Sequence, residues 1–306
     1  MDDGLRRGVS FGNAFEAPSD HPWPLALSTR HTDEVKRAGF DTVRIPVRWS
    51  AHAGDAAPYT VDPAFAGRVD RAVDEALDRG LNVVLNVHHY DELSDDPDGH
   101  QERFLALWRQ IAPRYADRPD RLLFELLNEP RDPMTAQRWN HILARALAVV
   151  RESNPGRRVI IGPTRFNNLE GLVGLDLPAD DRVMATIHYY SPFPFTHQGA
   201  TWLEGTDEWL GTTWGTHADQ EAVRSDLTAA ADWARERGLA LFLGEFGTYW
   251  KADMPSRARW TRCVRSEAER LGVGWAYWEF GTDFGAFDLE RESWHEPLRQ
   301  ALLGDG

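Results

Sequence analysis

The chain has 306 residues, of which 42% are hydrophobic and 27% are charged, a composition typical of a globular protein with a sizeable core. Its formal net charge of −14 argues against a nucleic acid or an anionic membrane surface as the partner, because both would repel it. The single cysteine, Cys263, excludes an internal disulfide and a cysteine metal cluster, and we expect it to be a packing thiol in the core.

Eight apolar runs predict β-strands, and helical patterns occupy most of the gaps between them. The runs cover residues 8–11, 41–47, 81–87, 122–127, 158–162, 183–187, 239–244 and 274–278. Asp62 followed by Pro63 predicts the start of a helix that ends at Gly80. Thr216 and Asp219 resemble a capping box at the start of a helix that ends at Gly238. Only the segment after the fifth strand, residues 167–177, gives a weak helical signal.

Strands that alternate with helices eight times predict an α/β fold, a single-domain (β/α)8 TIM barrel over residues 1–306. The alternative is a doubly wound open sheet with a second domain. No break in composition separates two domains, and no glycine-rich turn follows the first strand, so the barrel is favoured.

Polar residues come at the carboxyl ends of seven predicted strands, where a barrel of this kind places its active site. They are Asn13, Arg44, His88-His89-Tyr90, Asn128-Glu129, His188-Tyr189-Tyr190, Glu245 and Trp278-Glu279. Any one of them could be a structural residue with satisfied hydrogen bonds. Their convergence from seven strands on one rim predicts a functional site.

Two glutamates at this rim, Glu129 and Glu245, indicate glycoside hydrolysis, which needs one carboxyl group as general acid and another facing the anomeric carbon. Arg44 would hold one of them ionised while the other stays protonated. The alternative is a metal-dependent hydrolase that uses His88, His89 and His188 as ligands. The first strand offers no histidine pair and the fourth no bridging lysine, so we expect neither a metal nor a cofactor.

Seven short motifs resemble glycoside hydrolase family 5, the bacterial endoglucanase group, over residues 8–303. They are Gly12-Asn13-Ala14, Val43-Arg44-Ile45-Pro46, Asn86-Val87-His88-His89-Tyr90, Asn128-Glu129-Pro130, Ile187-His188-Tyr189-Tyr190, Gly244-Glu245-Phe246-Gly247 and Trp275-Ala276-Tyr277-Trp278-Glu279. The resemblance implies that Glu129 is the acid/base and Glu245 the nucleophile.

The resemblance also implies roles for the residues around the two glutamates. Arg44 and Tyr190 would orient Glu245, His188 would contact Glu129, and Asn128 would bind the 2-hydroxyl of the sugar being cleaved. His88 and His89 would line the same subsite, and Trp278 would form its floor. Independently of the resemblance, we expect His89 with Asn13 to reach the neighbouring part of the ring.

The longest predicted loop, residues 191–216, is rich in aromatic residues and has no clear secondary-structure signal. We expect His197 and Trp202 to contact sugar, because pyranose faces stack on aromatic rings, and Trp209 and Trp214 to hold the loop down as a small core. Glu16, in the first loop, would bind a sugar or face water.

These features predict a retaining endo-β-1,4-glucanase that binds a polysaccharide as a monomer. An endo-β-1,4-mannanase or another β-glycanase of the same fold is the alternative, and a carbohydrate-binding pseudoenzyme is a second one. No signal peptide follows Arg6-Arg7 and no apolar run would span a membrane. We therefore expect a cytoplasmic location if Met1 is native and secretion if a leader was removed.

Overall fold

A computed structural model describes residues 4–18 and 25–304. Eight parallel strands form a closed barrel in chain order, and the eighth pairs with the first, with Ala276 opposite Gly8. The strands are β1 (Arg7–Ser10), β2 (Thr42–Ile45), β3 (Asn82–Asn86), β4 (Leu122–Glu125), β5 (Val159–Ile161), β6 (Val183–Tyr189), β7 (Leu241–Phe246) and β8 (Gly274–Tyr277). The predicted (β/α)8 barrel is confirmed, while the predicted domain limits at residues 1 and 306 lie outside the described residues.

Helices pack around the barrel and connect its strands. They are α1 (Thr29–Ala38), α2 (Pro63–Asp78), α3 (Asp91–Asp95), α4 (Pro97–Arg114), α5 (Ala136–Ser153), α6 (Phe193–Thr196), α7 (His217–Glu236), α8 (Met254–Arg270) and α9 (Glu296–Leu303). Asp62 accepts a hydrogen bond from the amide of Ala64 at the start of α2, and Thr216 with Asp219 forms a capping box at the start of α7. Both helix starts were predicted from these residues, because capping depends on neighbours in the sequence.

The barrel interior changes from apolar to polar toward the carboxyl ends of the strands. Val84 and Leu123 belong to a small buried apolar cluster separate from the large core between strands and helices. Residues two positions further along a strand lie on the same face, and there the chain has Asn86 and Glu125, both fully buried. The interior therefore places buried polar groups directly below the rim where the site was predicted.

Two of the predicted strands end too early. The sixth and seventh were expected to end at residues 187 and 244, but β6 extends to Tyr189 and β7 to Phe246. His188 and Glu245 consequently lie inside strands and are opposite each other in the sheet. A polar residue at the end of an apolar run still pairs in the sheet when its side chain has partners in the interior, and a hydropathy pattern alone misses this.

The loop at 191–216 is not without structure, contrary to the prediction. It contains α6 and a 3-10 helix at Thr206–Trp209. Gln198 donates to the carbonyls of Phe195 and Thr212 and accepts from the amide of Gly211, which ties the two halves of the loop together. Turn-level hydrogen bonds of this kind have no periodic signature in the sequence.

Cys263 is half-buried and packs against the large core, and burial raises the pKa of its thiol to about 11. This agrees with a packing thiol. Among the described residues, no helix combines the length and the apolar character needed to cross a bilayer.

Candidate active site

Arg44 in β2 connects three side chains at the carboxyl end of the barrel. Its Nε and Nη2 donate to both carboxylate oxygens of Glu125, at 2.7 and 2.9 Å. Its Nη1 donates to Glu245 at 2.7 Å, and Nη2 also donates to Oδ1 of Asn128 at 2.7 Å. Burial alone would lower the pKa of Arg44, but the carboxylates of Glu125 and Glu245 raise it above its usual value. A permanent positive charge therefore lies beneath the site.

Glu245, in β7, has a hydrogen-bond donor at each carboxylate oxygen. Arg44 donates to Oε1, and the hydroxyl of Tyr190 donates to Oε2 at 2.9 Å. Burial raises the pKa of Glu245, while His188 and Arg44 oppose that rise. The two donors orient the carboxylate and favour its ionised form, as a nucleophile requires.

Glu129 follows β4 and has a different environment. Its Oε1 lies 2.7 Å from Nδ1 of His188, and its side chain is 26% exposed toward the cleft. The surrounding protein nevertheless desolvates the carboxyl group, which raises its pKa to about 8, with Arg44 lowering it and Glu125 raising it. The raised pKa favours the protonated form of Glu129 at neutral pH, which is the form that a general acid requires.

The carboxyl groups of Glu129 and Glu245 are close neighbours. One oxygen of each lies within 4.8 Å of the other and of a ring nitrogen of His188. Retaining glycosidases separate their two carboxyl groups by about 5–5.5 Å, whereas inverting enzymes leave about 6.5–9.5 Å for a water molecule. The short separation here fits the retaining geometry.

Glu129, His188 and Glu245 also have the atom types and spacing of a metal site. Both oxygens of Glu245, however, already accept hydrogen bonds, and one of them lies 2.7 Å from the Arg44 guanidinium. A cation bound to this set would be repelled by that charge at close range. The arrangement suits proton transfer and nucleophilic attack better than metal binding, and the absence of a metal requirement remains a prediction.

One wall of the cleft is built from rings and amides. The His88 ring stacks on Trp278 with centroids 5.5 Å apart and nearly parallel planes, and His89 packs edge-on to His88 at 4.4 Å. Burial lowers the pKa of His89 to about 4 and that of His88 well below its usual value, so both imidazoles are neutral. Asn13 donates through Nδ2 to Thr282 at 2.5 Å. Trp278 is half-buried, so part of its face remains available.

Three residues of the predicted site have a backbone conformation that is rare outside glycine. Asn13, His89 and Glu129 have φ angles of 63°, 47° and 46°. A left-handed φ at a non-glycine residue costs of order 1–3 kcal/mol, and such residues cluster at active sites, although Tyr59 and Glu292 also have one. The three residues lie three or four positions after the ends of β1, β3 and β4, where the chain leaves the barrel.

A second set of aromatic side chains, Tyr190, His197 and Trp202, packs around Phe284. His197 is only 8% exposed, because it stacks on Phe193 at 3.9 Å and packs edge-on to Tyr190 at 5.0 Å. Trp202 packs edge-on to Tyr249 at 5.0 Å and is 51% exposed. We predicted that Trp202 and His197 contact sugar. This stays a prediction for both residues, and His197 is largely covered by its neighbours. Trp214 is buried and Trp209 half-buried, as expected for residues that hold the loop down.

Glu16 neither binds a sugar nor faces water, contrary to the prediction. Its carboxylate is fully buried and accepts the backbone amides of Asn13, Ala14 and Phe15 at 2.9 to 3.1 Å. Burial raises the pKa of Glu16 to about 8, although the amides of Asn13 and Phe15 oppose the rise. The residue shapes the loop that carries Asn13.

Three other rim residues point away from the cleft. Tyr90 contacts His100 in α4, and Tyr189 donates to Asp226 in α7. Glu279 accepts the amides of Gly281, Thr282 and Phe284 and so shapes the loop after β8. Tyr189 is the last residue of β6 and Tyr190 follows it, and successive residues of an extended chain face opposite sides. Tyr90 lies beyond the end of β3 and follows His89, whose φ is 47°.

Three buried polar residues that complete the site were assigned no role from the sequence, although Asn86 belongs to one of the motifs above. Glu125 is the main partner of Arg44, and Asn86 lies 3.1 Å from Nδ1 of His88 and 3.4 Å from Glu125. Asn167 lies 3.4 Å from Nε2 of His188. A carboxylate inside the apolar run of β4 was a usable signal, because a buried charge requires a partner. Nothing local distinguishes Asn167.

Comparison with known proteins agrees with this geometry. A family model for "Cellulase (glycosyl hydrolase family 5)" matches residues 15–283. The chain is similar to Endoglucanase H of Acetivibrio thermocellus, with 35% identity over 292 residues; it is matched over 95% of its own length and spans about a third, 31%, of that protein.

Solved structures of Thermotoga maritima Cel5A are similar over nearly their whole length. The complex with mannotriose gives a TM-score of 0.96 and 44% identity, with 98% of each chain covered. The complex with cellobiose gives a TM-score of 0.95 and 44% identity, with 97% of each chain covered. The match of the family model over most of the chain, together with the paired carboxyl groups at the carboxyl end of a closed barrel, shows that the chain belongs to glycoside hydrolase family 5.

Proposed function

We propose that residues 1–306 act as one catalytic domain that hydrolyses internal β-1,4 bonds of glucans with net retention. One observation carries the proposal. Glu129 and Glu245 bring carboxylate oxygens within 4.8 Å of each other, in environments that leave Glu129 protonated and Glu245 surrounded by donors. This combination of distance and protonation is the one that double displacement needs.

In the first step, Oε1 or Oε2 of Glu245 attacks the anomeric carbon and forms a glycosyl ester. The bond from that carbon to the leaving oxygen breaks, and Glu129 gives its proton to this oxygen, which departs as a hydroxyl group. Arg44 and Tyr190 hold the attacking carboxylate through bonds of 2.7 and 2.9 Å. Because both donors remain in place during the attack, little reorganisation is needed in the transition state.

In the second step, water replaces the leaving group. Glu129, now a carboxylate, takes a proton from the water while its oxygen attacks the anomeric carbon, and Glu245 leaves as a carboxylate. Glu129 regains its starting proton in this way. Two inversions at one carbon give net retention.

We propose that Asn128 binds the 2-hydroxyl of the sugar at the point of cleavage. Its Oδ1 accepts from Arg44 at 2.7 Å, so the amide orientation is set and Nδ2 is the group left for substrate. Trp278 would stack on the sugar ring, with His88 behind it at 5.5 Å, and His89 and Asn13 would reach the neighbouring hydroxyls.

Mannan or glucomannan is the second substrate class that we propose. Mannose has an axial 2-hydroxyl where glucose has an equatorial one, and amide and imidazole groups can donate or accept on either side. The 44% identical Thermotoga maritima Cel5A was solved with both mannotriose and cellobiose, which supports dual specificity.

We further propose that the protein acts as a monomer on a polysaccharide. The competing hypothesis is a protein that binds the polysaccharide without cleaving it.

Proton NMR of the first product tests the proposal. The purified chain is incubated separately with a soluble β-1,4-glucan and with a β-mannan, and the anomeric signals are followed from the first minutes. We expect the β-anomer first with both substrates and a rapid fall in viscosity, which indicates internal cleavage. An α-anomer first would contradict the role of Glu245, no products would favour the binding protein, and no mannan products would remove dual specificity alone.

A further inference from the structure

We propose that Asn167 is a positioning residue that, through His188, determines which oxygen of Glu129 carries the catalytic proton. The inference rests on the proposed acid/base role of Glu129. It extends that role to a residue in the loop after β5, on the far side of His188 from the cleft.

Asn167 contacts His188 through both its backbone and its side chain. The amide of His188 donates to the carbonyl of Asn167 at 2.8 Å, and Nδ2 of Asn167 lies 3.4 Å from Nε2 of His188. On the other side, Nδ1 of His188 lies 2.7 Å from Oε1 of Glu129. The imidazole ring thus joins the Asn167 amide to the Glu129 carboxyl group.

The surrounding backbone is shaped around this contact. The register between β6 and β7 shifts at Ile187 and His188. Ile187 is opposite Leu243 and His188 is opposite Glu245, so that Gly244 is one extra residue in β7 without a partner in β6. A Cβ atom at Gly244 would lie 3.0 Å from Nε2 of His188, and a Cβ atom at Gly162 would overlap the Asn167 amide. Both glycines therefore provide the space that lets the amide and the ring meet. A β-bulge commonly redirects a side chain next to an active site.

Asn167 itself occupies an unfavourable position. It is fully buried with φ 54°, and its Oδ1 has no hydrogen-bond partner in the described part of the chain. A buried polar atom without a hydrogen-bond partner destabilises the folded state. Such a residue is more readily explained by an effect on His188 than by a contribution to stability.

The chemistry of a neutral imidazole explains that effect. Burial lowers the pKa of His188 to about 4, so the ring has one N–H at neutral pH. The NH2 group of Asn167 can only donate, and it therefore favours a lone pair on Nε2 and the proton on Nδ1. Nδ1–H then donates to Oε1 of Glu129, and the carboxyl proton must lie on Oε2.

The opposite tautomer would misplace the proton. With the proton on Nε2, the lone pair on Nδ1 would accept the carboxyl proton from Oε1 and hold it on the side of His188. That proton would not be available to the departing oxygen. Asn167 thus selects the arrangement in which Glu129 works as an acid, although it contacts neither the substrate nor Glu129.

Asn167→Gly tests the inference, because glycine removes the amide and retains a φ near 54° without strain. The matched control is Asn168→Gly, since the Asn168 side chain caps the following turn by accepting the amide of Gly171 at 3.1 Å. Each variant is assayed on an unactivated cello-oligosaccharide and on a dinitrophenyl cellobioside, whose leaving group needs no acid.

General acid catalysis contributes about 10²–10⁴ in rate, and we expect Asn167→Gly to lose about 10- to 100-fold in kcat/KM on the cello-oligosaccharide. On the dinitrophenyl substrate the loss should stay below about 3-fold, and Asn168→Gly should resemble the wild type on both. Equal losses of Asn167→Gly on both substrates would overturn the inference. This outcome can be distinguished from failure of the proposed function, because in that case the wild type itself would be inactive on both substrates.

Nitrogen-15 NMR of the imidazole gives a readout that does not depend on activity. In the wild type we expect Nε2 of His188 to be unprotonated and Nδ1 protonated. In Asn167→Asp, whose carboxylate only accepts, Nε2 should be protonated. A protonated Nε2 in the wild type would refute the tautomer assignment, even if Asn167→Gly proved too unstable to assay.

Discussion

Arg44→Lys is expected to impair catalysis severely although the charge is conserved. The guanidinium makes four hydrogen bonds, two to Glu125 and one each to Glu245 and Asn128, at 2.7 to 2.9 Å. Lysine has its three donors on one atom and cannot reproduce the planar fork, so at least two of these bonds should be lost. Charge-assisted bonds contribute about 1.5–3 kcal/mol each, which gives a total loss of about 3–6 kcal/mol.

If this loss falls on the transition state, kcat/KM decreases by about 10²–10⁴. The assay is kcat/KM on a soluble β-1,4-glucan, at a temperature where circular dichroism shows that the variant is folded. Arg114→Lys is the matched control, because Arg114 makes a similar paired contact with Asp70 on the surface, where such pairs contribute about 0–1 kcal/mol. A kcat/KM for Arg44→Lys within about threefold of the wild type would refute the reasoning.

Four further predictions concern the same cleft. Glu129→Ala should still attack a dinitrophenyl cellobioside and accumulate a glycosyl-enzyme detectable by mass spectrometry, whereas Glu245→Ala should form none; label on a residue other than Glu245 would contradict its role. Because burial raises the pKa of Glu129 to about 8 and the acid must be protonated, kcat/KM should fall as the pH rises through about 8, and a profile flat to pH 10 would exclude that pKa. Trp202→Ala should lower kcat/KM on long glucans more than on cellotriose, while Trp233→Ala, on α7 outside the cleft, should not distinguish the two lengths; equal effects of Trp202→Ala on both would remove it from the substrate path. Prolonged chelation should leave activity unchanged, and activity lost on chelation and restored by zinc or manganese would revive the metal hypothesis.

The strands and the positions of the two glutamates were predictable because they depend on local patterns. Apolar runs bounded by turns predict buried strands, and capping residues predict where helices begin. A parallel barrel then places every strand's carboxyl end on one rim. Glu129 and Glu245 therefore had to approach each other once the eight strands were recognised, even though they are 116 positions apart.

The partners of these glutamates were decided only by the tertiary structure. Arg44 and Glu245 are 201 positions apart, and Asn167 and His188 are 21 apart in different strand ends. The contacts of His188 and Glu245 depend on the register shift at Gly244 and on how the neighbouring aromatic rings pack. Neither feature leaves a periodic signal in the sequence. The burial of Glu16 and the ordered loop at 191–216 escaped prediction for the same reason, since their hydrogen bonds satisfy backbone groups at particular turns. Sequence alone determined the barrel and the chemistry available at its rim, whereas packing determined the direction in which each proton and carboxylate points.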